Sequence, residues 1–233
     1  MSIHIEHLLI DLLNAPSGTP HTTTLWIADE SLSEQDLIAA RPRPSLDVLT
    51  NRCDLGARLS EIGHTPTVSD FDFSLLPNAT YDDIVYRVSK ERLLVHHCIN
   101  ESYKHLNEGG SLHLIGSKDE GIRTHGRNAQ HVFATNEHAK KHGDVYHIRL
   151  QKPSVSSQNT PDFLDSKDYG HLRTCTVGEL HFVSKPGVFG WNKVDRGSAL
   201  LADYVNTLLA KKKSPGSLLD LGCGYGYRGT ALL

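Results

Sequence analysis

The chain has 233 residues, a net charge of −3 and 38% hydrophobic residues, enough to bury a real core in one large domain or two modest ones. Its four cysteines, Cys53, Cys98, Cys175 and Cys223, form no Cys-x-x-Cys pair, which argues against a structural zinc site and a disulfide framework. The N-terminus lacks a basic segment and a cleavage site, and no apolar stretch approaches the roughly 20 residues of a membrane span. A cytoplasmic setting with no membrane partner and no metal is therefore expected.

The net charge hides an asymmetry. Residues 1–86 carry −9, residues 87–152 carry +4 with nine of the fifteen histidines, and residues 153–233 carry +2. A basic, His-rich middle can attract a nucleic acid that the acidic first third would repel. The same pattern also suits an ordinary solvated surface.

In chain order, apolar β-branched runs alternate with helical patterns. Residues 24–29 (TLWIAD) read as a strand and 33–41 as a helix with Ser33 as N-cap. Strands follow at 46–50, 65–70 and 83–88, with a helix at 54–63 stopped by Gly63. The longest helix is expected from about Lys90 to Glu108. Its apolar positions are Val95, Ile99, Tyr103 and Leu106, and Gly109-Gly110 ends it. Strands at 111–117 and 145–150 flank a helix near 127–142. This alternation predicts βαβ units and a mostly parallel sheet.

Composition then shifts. QKPSVSSQNTPDFLDSK (151–167) is rich in Ser, Pro, Asn and Gln and reads as a linker, with a boundary near 155–165. Residues 171–189 alternate like a β-hairpin around Gly178, and a helix spans about 196–212, with lysines 211–213 favouring its C-terminal dipole. Pro215-Gly216 stops that helix. SLLDLG (217–222) then reads as a strand.

That strand runs into Asp220-Leu221-Gly222-Cys223-Gly224-Tyr225-Gly226, with Gly229 beyond. A strand ending in glycines and opening a helix is a cradle for a phosphate or carboxylate, because the backbone can turn sharply and approach a ligand closely. The frame GYGYRG (224–229) fits the dinucleotide pattern G-x-G-x-x-G, but four residues would separate the strand from its first glycine. In the other frame, D-x-G-x-G-x-G, an acidic residue closes the strand. It would sit poorly beside a pyrophosphate and well beside an ammonium. S-adenosylmethionine (SAM), with an amino group, a carboxylate and a sulfonium but no phosphate, is the better ligand. Cofactor-binding candidates are Asp220, Gly222, Cys223, Gly224 and Gly226.

This segment resembles motif I of class I SAM-dependent methyltransferases. Residues 185–205, with Pro186-Gly187-Val188-Phe189 and Asp195-Arg196-Gly197-Ser198-Ala199-Leu200-Leu201, resemble the lead-in of the bacterial ribosomal RNA guanine-N2 methyltransferases. The resemblance adds Phe189, Asp195 and Gly197 to the cofactor side, although Asp195 also suits a simple helix N-terminus. Gly190 stands where the family usually has Ser. Residues 81–127 resemble the family's N-terminal domain, a degenerate copy of the same fold, with Ser89-Lys90 in place of Pro-Lys.

The resemblance implies a Rossmann-like α/β class I methyltransferase fold in three parts. Residues 1–152 form the degenerate copy, 153–167 the linker, and 168–233 the start of the SAM-dependent domain. The strand at 46–50 runs into NRCDLGARL with Gly56 alone, so the first copy is expected to bind no SAM. The implied function is methyl transfer from SAM to the exocyclic N2 of a guanine in ribosomal RNA, with rRNA or a ribosomal subunit as partner. The family's acceptor-aiming Asn-Pro-Pro-aromatic motif is absent from these residues. The chain alone is therefore expected to be inactive, and its catalytic residues are unassigned. The alternatives are a catalytically dead RNA- or protein-binding α/β module and, on the GYGYRG frame alone, a dinucleotide-dependent oxidoreductase.

Other clusters carry less. Lys118, Arg123 and Arg127 fall in GSKDEGIRTHGR (116–127), read as a glycine-jointed loop that can grip RNA phosphates or simply be solvated beside Asp119 and Glu120. His138 and His142 lie four apart on the expected helix but lack a third ligand, and an exposed face is the plainer reading. His96 and His97 point to different helix faces.

Overall fold

A computed structural model describes residues 5–15, 22–28, 34–154, 161–211, 217 and 219–231. The chain divides into two units, residues 1–166 and 167–233.

The first unit is a seven-stranded sheet. Helix α1 (Ile5–Asn14) leads into β1 (Thr24–Ile27), followed by α2 (Glu34–Ala39), β2 (Leu46–Thr50), α3 (Cys53–Glu61) and β3 (Pro66–Val68). Then come β4 (Tyr81–Arg87), α4 (Arg92–His105), β5 (Leu106–Ser117), α5 (Ile122–Val132), β6 (Lys140–His142) and β7 (Val145–Gln151). The strand order is β3-β2-β1-β4-β5-β7-β6, parallel except for β7, which runs antiparallel to both of its neighbours.

Every residue of β1 and β2 is buried, as expected of central parallel strands covered on both faces. On one face Leu9 and Leu13 of α1 and Leu55 and Leu59 of α3 pack with Trp26, Val48, Val85 and Ile115. Strand alternation turns Ile84 and Tyr86 to the opposite face, which α4 and α5 cover with buried Val95, Ile99, Ala129 and Val132. Ser33 lies outside the described residues, so the expected cap of α2 has no structural counterpart here.

Four expectations are corrected. Gly109-Gly110 does not end α4. The helix stops at His105, because Leu106 turns extended (φ −83°, ψ 139°) to pair with Tyr81. The glycines instead lie inside β5, where the register slips between Tyr81–Leu106 and Asp83–Ser111. A Cβ on Gly110 would stand 2.9 Å from the carbonyl oxygens of Asn107 and Asp82, so only glycine fits the bulge. The helix near 127–142 is in fact α5 at 122–132, closed by Ala134 at φ +49° and followed by the β6–β7 hairpin. Arg123 and Arg127 therefore stand one turn apart on a helix, and only Lys118 remains in the preceding turn. His142 lies on β6, so His138 and His142 share no helix face.

Residues 161–166 pack with the first unit. The Asn100 side chain donates to the carbonyl of Leu164 (2.8 Å) and accepts from its N–H (2.9 Å). His96 Nδ1 donates to the Asp165 carbonyl (2.8 Å), and its Nε2 lies 3.3 Å from the Asn128 side-chain nitrogen.

The second unit holds the hairpin β8 (Arg173–Val177) and β9 (Leu180–Ser184), turning through Gly178 at φ +59°, then α6 (Arg196–Leu209) and the short α7 (Tyr227–Ala231). The strand expected at 217–222 is absent among the described residues, and Leu219 and Leu221 are 80% and 81% exposed. A strand needs a neighbour to take its backbone hydrogen bonds. The strands described in this unit, β8 and β9, pair with each other.

Candidate cofactor site

The second unit builds its site around the glycine turn. Gly222, Gly224 and Gly226 adopt φ of +74°, +58° and +86°, a conformation that residues with a Cβ rarely take, whereas Gly229 does not. A Cβ at Gly222 or Gly226 would meet nothing within 4 Å, and at Gly224 only the Phe189 carbonyl, 3.9 Å away. The turn thus lies open on its glycine side.

Arg228 braces it, pairing with Asp220 at 2.8 Å and donating to the Gly222 carbonyl at 3.1 Å. The other Asp220 oxygen, Oδ2, is buried without a hydrogen-bond partner among the described residues. Beneath the turn, Phe182 of β9 packs its ring against Tyr225 (5.3 Å between centroids) and Tyr227 (5.9 Å). Burial raises the Tyr225 hydroxyl pKa, helped by Cys175, Tyr227 and Asp195, so the phenol stays protonated at neutral pH.

Facing the turn is the segment leading into α6. At Gly187 (φ +95°) a Cβ would come within 2.7 Å of the Tyr169 hydroxyl, so this tight turn also requires glycine. It delivers Phe189, 76% exposed, and then Asp195, whose carboxylate caps α6 by accepting from the Ser198 N–H at 2.9 Å.

Between these elements is a cleft of about 290 Å³ lined by residues that include Phe189, Asp195, Gly222, Cys223, Gly224 and Tyr225. Five of the sequence-derived candidates thus meet there. Asp220, Gly226 and Gly197 do not line it: Asp220 and Gly226 support the turn, and Gly197 lies behind Asp195, where a Cβ would stand 3.0 Å from its carboxylate. Sequence reasoning missed Gly190, Ser198, Tyr225, Tyr227 and Arg228 as cleft residues, although the alternation of Tyr225 and Tyr227 with the glycines was a usable signal.

In the first unit the corresponding crevice opens at the carboxyl ends of β1 and β4, where the sheet order reverses. The loop to inspect is therefore the one after β1, not the one after 46–50, and it contains no glycine (28–33). Arg87, at the end of β4, is tied to Glu6 (3.2 Å) and Glu120 (2.9 Å).

The sheet order with its antiparallel β7 defines a Rossmann-like class I methyltransferase fold. The methyltransferase small domain family matches residues 179–233. Ribosomal RNA small subunit methyltransferase C of Pseudomonas syringae pv. tomato is 31% identical over 156 residues, covering 67% of this chain and 44% of the relative. The protein of that name from Ectopseudomonas mendocina is 33% identical over 165 residues, 70% of this chain and 46% of the relative. Among solved structures, the fold matches the T. thermophilus 16S rRNA N2 G1207 methyltransferase (RsmC) in complex with AdoMet and guanosine. The TM-score is 0.60 at 18% identity, over 87% of this chain and 53% of that one. Residues 179–233 thus carry a methyltransferase small domain, and over the aligned residues the chain is similar to the ribosomal RNA small subunit methyltransferases C. It spans a little under half the length of the curated relatives it matches.

Proposed function

We propose that the protein takes part in methyl transfer from SAM to the exocyclic N2 of a guanine in ribosomal RNA, with the glycine turn and the Asp195 segment as one side of the cofactor site. The observation that carries this reading is the set of alternate glycines at 222, 224 and 226, all at positive φ, of which Gly222 and Gly224 line a cleft shared with the Asp195 carboxylate. That frame suits the amino-acid end of SAM, and Asp220 ahead of the glycines would sit poorly beside a pyrophosphate.

The residues present fit the group. Backbone N–H groups of the turn can receive its carboxylate, Asp195 offers negative charge for its ammonium, exposed Phe189 offers an apolar flank, and Asp220, paired with Arg228, holds the turn in shape. When bound, SAM supplies the sulfonium methyl. The protein's task is to orient it and exclude water. Acceptor-aiming residues remain unassigned, since the 233 residues hold no Asn-Pro-Pro. In this reading the first unit positions RNA through Lys118, Arg123 and Arg127, the partner is rRNA or a ribosomal subunit, and the setting is cytoplasmic. Among the described residues no helix is long and apolar enough to cross a membrane, and no cluster of three metal-ligating side chains occurs.

Equilibrium dialysis against tritiated SAM tests the site. Saturable binding is expected, weakened at least tenfold by Gly224→Val, with NAD failing to compete. Binding unchanged by that substitution, or displaced by NAD, defeats the assignment. For the reaction, deleting the gene should remove one N2-methylguanosine from digested rRNA. An unaltered nucleoside profile rejects it.

A further inference from the structure

We propose that the cleft between α5 and the β6–β7 hairpin is an anion-binding site that grips the phosphodiester backbone of RNA. The cleft measures about 510 Å³ and is lined by residues that include Arg123, Arg127, Gln130, His138 and Tyr146. No carboxylate lines it. Arg123 and Arg127 are both exposed, and neither forms an ion pair among the described residues.

The fold explains how the site is made. The residues at 123 and 127 fall on one side of α5, one turn apart, because they are four positions apart in a helix. The helix packs its Ala129 and Val132 into the core and turns the arginines outward. Gly126 lies between them, close to Ile148 of β7, and contributes no side chain to the floor of the cleft. Tyr146 and Ile148 of β7 form the opposite wall, and alternation along the hairpin sets Lys141, paired with Tyr146, on the same face. Two forked guanidiniums and an imidazole converge on a concave surface with no carboxylate among its described lining residues, and Gln130, whose amide donates to the Glu137 carbonyl, completes its edge. That is the chemistry of phosphate recognition.

The two arginines can take successive phosphates of one strand, while Tyr146 gives a half-buried aromatic edge for a sugar or base. Contacts of this type position an RNA without reading its sequence. Lys118, in the turn before α5, is not among the lining residues and adds only to the surrounding field. The inference rests on the reading of the partner as RNA, and it adds the pocket, its donors and a division of labour. The first unit holds backbone, and the second holds cofactor.

The test is fluorescence polarisation with a fluorescein-labelled RNA hairpin and the full 233-residue chain. The variants are Arg123→Gln/Arg127→Gln, Arg123→Lys/Arg127→Lys, and Lys90→Gln as an exposed control outside the cleft. In 50 mM salt the double Gln variant is expected to bind about tenfold or more weakly. The slope of log affinity against log salt should fall by about 1.4, two phosphate contacts at about 0.7 each for a single strand. The Lys pair should keep the slope while losing part of the affinity, and Lys90→Gln should match the wild type. Affinity and slope unchanged in the double Gln variant overturn the site, as does no saturable RNA binding. Equal, arginine-dependent binding of poly-glutamate overturns the choice of RNA. Dialysis against SAM on the same samples separates the two readings. Arginine-dependent RNA binding without SAM binding would sink the glycine-turn assignment alone, and the converse would sink this cleft alone.

Discussion

Acid should loosen the first unit through His125. This side chain is only 6% exposed, sits on α5 edge-on to His96 (6.1 Å between centroids) and has its Nδ1 buried without a partner. Burial, with smaller contributions from His96 and Arg92, pushes its pKa down to about 4. The unfolded chain takes up this proton near pH 6.5, the folded one only near 4. Its share of stability is therefore complete above about pH 6.5, falls as the pH drops through the window between, and stops changing below about 4. From pH 7 to pH 5 a shift of this size removes about 2 kcal/mol. His147, half-buried and held near 4 chiefly by burial, with repulsion from His113 and other basic neighbours, acts in the same direction. Solvent screening brings its share nearer 1 kcal/mol.

The assay is urea denaturation followed by the fluorescence of Trp26, which is buried in the first unit, in a Trp191→Phe background that silences the other tryptophan. The wild-type midpoint should drop by about 1–3 M urea from pH 7 to pH 5, given a slope of about 1–3 kcal/mol per molar. His125→Leu cannot titrate and leaves no imidazole nitrogen buried. Its midpoint should fall about a third as far, and at pH 5 it should exceed the wild type. A His125→Leu protein that loses as much stability between the two pH values as the wild type would refute the reasoning.

Gly110→Ala should lower the first unit's stability by about 1–3 kcal/mol, read as a drop in melting temperature, because its Cβ meets two carbonyl oxygens at 2.9 Å. A melting temperature within a degree of wild type would show that the bulge can relax. Asn100→Ala removes both hydrogen bonds to Leu164, worth about 2 kcal/mol together. Limited proteolysis should then cut within 161–166 several times faster, and an unchanged rate would mean that the His96 contact alone holds the segment. Asp195→Ala should cost α6 its cap, about 1 kcal/mol, and weaken SAM retention. Asp195→Ser, which preserves a cap without the charge, should recover the helix but not the binding, a split visible by comparing circular dichroism with dialysis.

The parts of the fold that the sequence made legible are those written in periodicity. The buried runs at 24–27 and 46–50, the β8–β9 hairpin and the body of α4 follow from side-chain spacing, which burial enforces. The misreadings occur where a local signal competed with a distant pairing partner or where the backbone turned without a residue type to mark it. Leu106 continues the apolar series of α4, yet it pairs with Tyr81, 25 residues back, so the helix ends early and two glycines that look like a stop become a bulge. Ala134 closes α5 at a positive φ that alanine does not advertise. The apolar SLL before Asp220 has strand propensity but no described neighbour. The same logic governs the two sites. The glycine turn was readable because positive φ constrains residue type position by position. The cleft between α5 and the β6–β7 hairpin was only half readable: Arg123 and Arg127 stood out as charges, but His138 and Tyr146 join them through a hairpin that no local pattern announced. A site assembled across a sheet edge leaves no spacing in the sequence, and its constituents become visible only once β7 runs back antiparallel beside β5 and brings the hairpin under α5.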